Sequence, residues 1–201
     1  MSRKQEVKNK TEEITKPAKN KFNKNLPSMI LLGAMTSGLL ILIGSLRNYE
    51  KLTFLHAYVP EKWDSEAKIT LIGSISCFIS GFLMLCFGIC GQLRFHTAIN
   101  PVCNADPPIV VLMNKVLNNS VEQVFIFLPN LTYWTFRYST EENKHEVLIF
   151  GVLFVIGRLI FLIGYFIGTI IDLQTLRLFG FEITILNSFV LILRNLGYTF
   201  I

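Results

Sequence analysis

Five long apolar stretches punctuate the chain, at Leu26–Leu46, Ile69–Leu93, Pro108–Phe136, Val147–Ile171 and Phe179–Ile201. A helix needs about 20 mostly apolar residues to cross a bilayer, so the pattern predicts an all-α membrane protein with five transmembrane helices. Two stretches are imperfect. The third carries Lys115, Asn118, Asn119 and Glu122 in its first half and turns apolar only near Val121. The fifth is interrupted by Glu182, Asn187 and Arg194. With this much chain in spans, no sizeable soluble domain remains.

Composition agrees: 51% of the 201 residues are hydrophobic and the mean hydropathy is +0.47. The net charge of +5 changes the picture at one place. Arg3, Lys4, Lys8, Lys10, Lys16, Lys19, Lys21 and Lys24 face only Glu6, Glu12 and Glu13. Residues 1–25 therefore read as a disordered basic tail, and positive residues before a first span stay cytosolic. Contact with anionic lipid headgroups fits such a tail. Nucleic acid does not, because Phe22 is the only aromatic among these lysines. The first apolar run is longer than the core of a signal peptide, and residues 26–47 read as an uncleaved anchor. No lipidation signal is visible.

A cytosolic tail and five spans put the C-terminus on the lumenal side, together with the 48–68 loop and the connection at 137–146. Tyr58, Pro60 and Trp63 in the first loop have the character of an interfacial anchor. The 94–107 loop and the 172–178 turn fall on the cytosolic side, the former broken by Asn100–Pro101 and Pro107–Pro108. Sequons at Asn9, Asn118 and Asn130 lie in the tail or in a span, away from any lumenal loop, so none is expected to be glycosylated. Cys77, Cys86, Cys90 and Cys103 lack histidines at zinc spacing and read as packed, reduced thiols. Gly164 and Gly168, and Gly33 with Ser37, are spaced for close helix approach.

Arg158 carries the strongest functional signal. It sits inside the apolar run at 152–168, and a charge at membrane depth normally faces a bundle interior or a wet cavity. Tyr165, seven positions on, lies almost two turns away on the same face. Lys115, Asn119 and Glu122 form a second polar stripe on the preceding helix. Each of Glu122 and Arg158 is otherwise uncompensated, which predicts that they pair. Such a pair serves either to fix helix register or to build a ligand site.

Three motifs in order carry a resemblance. GQLR at 91–94 followed by AINP, NxxE at Asn119–Glu122 followed by VFIFLPNL, and GRLIFLIGY at 157–165 resemble the MAPEG superfamily of membrane-embedded glutathione and eicosanoid enzymes. The resemblance covers residues 69–201 and implies a four-helix membrane bundle there, with the 26–47 helix as an addition. It implies homotrimers, with glutathione bound between subunits and open to the cytosol. By motif, Arg94, Asn119, Glu122, Arg158 and Tyr165 would line that site.

Two departures shape the functional expectation. Asn118 stands where the enzymes have an arginine before the NxxE asparagine. After Tyr165 comes GTIIDLQTL, so a basic residue arrives only at Arg177, the one candidate for the catalytic arginine. A thiol without a nearby cation stays mostly protonated, and Asp172 would oppose ionisation. The expectation is therefore a non-catalytic family member, for which the resemblance implies the secretory or endolysosomal system, in the endoplasmic reticulum, Golgi or lysosome. It would act in trafficking or epithelial barrier formation, with membrane receptors as partners. The alternative is a glutathione transferase or peroxidase acting on lipophilic electrophiles. A transporter is disfavoured because no internal repeat is present.

Overall fold

The computed structural model describes residues 26–52, 55, 57–97, 106, 108–171 and 173–198. The basic tail, Cys103, Asp172, the Asn100–Pro101 break and Pro107 lie outside the described residues. Among the described residues there are five α-helices and no strand: α1 (Leu26–Arg47), α2 (Ser65–Thr97), α3 (Pro108–Arg137), α4 (Lys144–Ile170) and α5 (Leu178–Asn195). Short 3-10 turns at Tyr49–Lys51 and Gln174–Arg177 follow α1 and precede α5.

Four of the five helical stretches have the length and composition of membrane spans: Ile30–Arg47, Ser65–Phe95, Lys144–Ile170 and Thr175–Asn195. The chain is an integral, multi-pass membrane protein in a lipid bilayer environment. The third helix, 30 residues long, is held back only by its polar first half. It is packed between α2, α4 and α5.

The chain order is not the spatial order. α1 packs on α5, α5 lies against α4 and α3, and α2 packs on α3. The seam of α1 is Ala34, Gly38, Leu42 and Leu46, every fourth residue and all buried. A Cβ at Gly38 would lie 3.1 Å from Leu186 and 3.5 Å from the Ile183 backbone nitrogen. Gly33, expected at this contact, faces open space. Five residues separate it from Gly38, which turns it about 140° around the helix.

The polar residues that interrupt the fifth span turn inward. Asn187 is fully buried and donates from Nδ2 to the Phe150 carbonyl at 2.8 Å, and Glu182 is buried on the same helix. Arg194 forms an ion pair with Glu146 at the start of α4. Helix α5 stops at Asn195 rather than running on to the chain end. Gly197, at φ 88°, closes a Schellman motif. The Tyr198 amide donates to Leu193 and the Gly197 amide to Arg194, both at 3.0 Å. At its own start α2 reaches back to Ser65, four residues before the apolar run. The Ala67 amide donates to the Asp64 carboxylate at 2.9 Å, an N-cap.

Two apolar clusters form the core. One, toward the 48–64 loop, stacks Phe127 on Phe154 at 4.1 Å and sets Trp134 edge-on to Phe150. The other, toward the end where α1 begins, gathers Phe82, Cys86, Cys90, Met113, Phe161 and Tyr165. Cys77, expected to pack, is exposed, on the side of α2 that borders a hollow shared with α4. The α4–α5 contact is backbone to backbone. A Cβ at Gly180 would stand 2.1 Å from the Phe161 nitrogen and 2.4 Å from the Gly157 oxygen. A side chain at Gly180 would force these helices apart.

Candidate functional site

Arg158 is 1% exposed, and its surroundings differ from the sequence expectation. Its Nη1 donates to Asn119 Oδ1 at 2.9 Å, and its Nη2 donates to the Thr184 hydroxyl. Thr184 in turn donates to the Phe181 carbonyl at 2.8 Å. The guanidinium carbon stands 4.8 Å from the Phe161 ring centroid. Among the described residues it has no ion pair, so the predicted Glu122–Arg158 pair is not formed. The cause is helical register. Asn119 is the residue of α3 that turns to Arg158, while Glu122, one turn on, is exposed at the mouth of an open cavity. Neutral oxygens and an aromatic face compensate the cation instead. Arg158 thus ties α3, α4 and α5 together and orients the Asn119 amide.

Tyr165 lies two turns further along α4, 8% exposed and edge-on to Phe161 at 5.3 Å. Its hydroxyl accepts a hydrogen bond from Arg177 Nη1 at 2.6 Å, and the same guanidinium stands 4.7 Å from its ring centroid. Twelve residues separate the two in sequence. Gly164 makes the approach feasible: a Cβ there would lie 2.8 Å from the Leu176 oxygen and 2.9 Å from the Arg177 Cα. The Gln174–Arg177 turn therefore folds directly onto the α4 backbone. Gly164 receives a turn rather than a neighbouring helix, in contrast to the reading of its spacing with Gly168. The close helix contacts of α4 fall at Gly157, against α5, and at Gly151, against Ile75 of α2.

These residues open onto a cavity of about 420 Å³ lined by Lys115, Asn118, Asn119, Glu122, Phe161, Tyr165, Arg177, Leu178 and Phe181. It sits where α3 begins, α4 ends and α5 begins. Of the residues singled out from sequence, Asn119, Glu122, Tyr165 and Arg177 line it. Arg158 supports it from behind. Arg94 lies elsewhere, at the end of α2, where its Nη2 meets Asp106 Oδ2 at 2.7 Å. Thr184, Phe161 and Phe181 were not expected. Thr184 is one of two hydroxyls in α5, with Ser188, and nothing in its spacing marks it.

The cavity offers two cations, Lys115 and Arg177, one carboxylate, Glu122, and two amides. That set suits a small molecule bearing carboxylates and an ammonium group. Because the Tyr165 oxygen already accepts from Arg177, the phenolic proton is free to be donated into the cavity.

A family model, described as the MAPEG family, matches residues 29–197. The match begins inside α1 and ends just past α5. No curated protein and no solved structure matches the chain significantly.

Proposed function

This chain belongs to the MAPEG family, and from that premise we propose that it is a glutathione-dependent membrane enzyme acting on lipophilic electrophiles. The observation that carries the reading is the Arg177–Tyr165 contact at 2.6 Å. The sequence alone disfavoured catalysis because the first basic residue after Tyr165, Arg177, comes late. In the fold that residue reaches the tyrosine. A guanidinium holding a phenol oxygen orients the phenolic proton toward a ligand sulfur, and a donor plus a nearby cation favours thiolate over thiol. Lys115 would clamp a ligand carboxylate and Glu122 its ammonium group, with Asn119 held by Arg158 to supply an amide. The thiolate sulfur then forms the new bond to an electrophilic carbon. For an epoxide, the ring C–O bond breaks and the oxygen takes up a proton.

The second reading is a non-catalytic role like that of mattrin, a five-span protein with a MAPEG domain. The 177–200 segment, which resembles mattrin's last helix, favours it. It implies work in the trans-Golgi or lysosomal route, in receptor trafficking or barrier formation. In either reading the resemblance implies a homotrimer, a cytosolic N-terminus and a lumenal C-terminus. Arg94, remote within one chain, would then belong to a site completed between subunits.

The test is glutathione binding by the purified protein in detergent, followed by the thiolate absorbance of bound glutathione at neutral pH. Binding with visible thiolate, lost in Arg177→Ala, is expected. Binding without thiolate would leave the non-catalytic reading standing. No binding at all would remove glutathione from both.

A further inference from the structure

A groove runs along the outside of the bundle between α2 and α4, sharing no wall residue with the Tyr165–Arg177 cavity. Near the loop end it widens to about 460 Å³, walled by Ser74, Phe78, Val152 and Ile156. It continues past Gly81 and Leu159 as a second hollow of about 420 Å³, and the two share Phe78 and Val155. From Thr70 to Leu85, its limits on α2, the helix rises about 22 Å, most of the ~30 Å hydrocarbon thickness. The helices touch where Ile75 rests on Gly151, and a Cβ at Gly81 would meet nothing within 4 Å.

The chemistry of the walls narrows the occupant. No charged side chain lines either hollow, so nothing there would hold a free carboxylate. The hydroxyl of Ser74 is already committed to the Thr70 carbonyl at 2.9 Å. Leu55, Tyr58 and Pro60 roof the groove at the loop end, and that roof is fastened: Lys144 Nζ donates to the Pro60 carbonyl at 2.7 Å. A membrane-spanning helix from a second copy would run into the roof. One flexible tail would not, and exposed Tyr58 stands where a polar end would emerge.

We propose that this groove holds a single acyl chain of a bilayer phospholipid, with its headgroup beside Tyr58. The proposal is independent of the glutathione reading.

The test uses the full chain in nanodiscs containing a phosphatidylcholine with a photoreactive diazirine in one acyl chain. Labelled peptides are mapped by mass spectrometry. Labelling within residues 70–82 and 148–159 is expected to exceed that at Met84 and Phe87, on the other side of α2, at least tenfold. Gly81→Leu and Ile156→Trp, which fill the groove from its two walls, should each remove it, and Gly73→Leu, outside the groove, should leave it. Uniform labelling of all exposed apolar faces of the wild-type protein would overturn the proposal, whatever the variants do. So would preferential capture of a diazirine-bearing free fatty acid. A disulfide between two copies through Ser74→Cys would assign the groove to a second chain instead.

Discussion

The two ends of the bundle each bury arginine, and they treat it in opposite ways. At the loop end Arg194 meets the Glu146 carboxylate and stands over Trp134 and Phe150, 5.6 and 5.7 Å from their ring centroids. Around it the polar groups answer one another. Asn195 donates to Asn130 at 3.0 Å, Trp63 Nε1 to Ser139 at 3.0 Å, and Lys144 to Glu141 at 2.5 Å. At the other end, among the described residues, Arg158 and Arg177 have only neutral oxygens and rings as partners. A charge neutralised inside the fold is spent on holding helices. A charge held by a phenol beside an open cavity remains available to an anionic ligand. Between Arg194 and Arg177 the same residue type in the same bilayer thus separates structure from candidate chemistry, and the discriminator for that pair is the presence of a carboxylate.

The sharpest test of this contrast exchanges the two arginines' consequences. Glu146→Ala leaves the Arg194 guanidinium, 11% exposed, without its counter-charge. Removing one partner of a buried pair costs about 3–5 kcal/mol. The variant should unfold at markedly lower temperature or denaturant in detergent, while any folded fraction keeps its glutathione affinity. Arg177→Ala should do the reverse, with a stability change of about 1 kcal/mol or less and a large loss of bound thiolate. If both variants lose stability equally, the two ends are not different in kind.

Arg158→Leu comes next. It removes the donor to Asn119 Oδ1 and one of the partners of the Thr184 hydroxyl, and an unsatisfied buried group costs about 1–3 kcal/mol. Arg158→Lys should not restore it, because one ammonium cannot reproduce the planar fork that reaches two helices at once. Thermal unfolding of the two variants side by side checks this. Equal stability of Arg158→Lys and wild type would show that charge alone, not geometry, is used there.

How far this was legible in sequence follows from the nature of each signal. Apolar run length located every helix, because the requirement to span hydrocarbon acts on local composition. It could not say that α1 would lie against α5, since both run apolar on most faces and the order of packing is decided by a few small residues. Gly38 and Gly180 mark those contacts, yet as isolated glycines they look like any other. Arg158 and Tyr165 stood out because polar groups in an apolar run have few alternatives to facing inward. Their partners did not stand out. Glu122 was paired with Arg158 by charge, but Asn119 holds the right register. Arg177 looked too distant because sequence separation hides a tight 3-10 turn docked on Gly164.

That docking supplies a smaller test. Gly164→Ala puts a methyl 2.8 Å from the Leu176 oxygen. Overpacking of this kind costs about 1–3 kcal/mol, least where a segment can move, and a four-residue turn is such a segment. The expected outcome is a modest drop in stability, near the bottom of that range, and a clear loss of bound thiolate as Arg177 swings away. Thiolate absorbance unchanged in a folded Gly164→Ala protein would mean that Arg177 does not act through its place beside Tyr165.

Tyr165→Phe should disturb the fold least and is the most discriminating. The ring keeps its edge-on contact with Phe161, and Arg177 keeps its place over the aromatic face. Only the hydroxyl goes, and with it one hydrogen bond worth about 0.5–1.5 kcal/mol at most. If the phenolic proton is what meets the ligand sulfur, glutathione should still bind, because the groups that would clamp its carboxylates and ammonium are untouched. The thiol should then ionise only at higher pH, so the thiolate absorbance titrates upward while affinity measured below that pH stays close to wild type. A cation-only mechanism predicts the opposite: Arg177, freed from the phenol, would move closer to the sulfur and hold the thiolate at neutral pH as before. The pH profile of bound glutathione in this one variant therefore decides whether Tyr165 donates to the ligand or only positions the arginine.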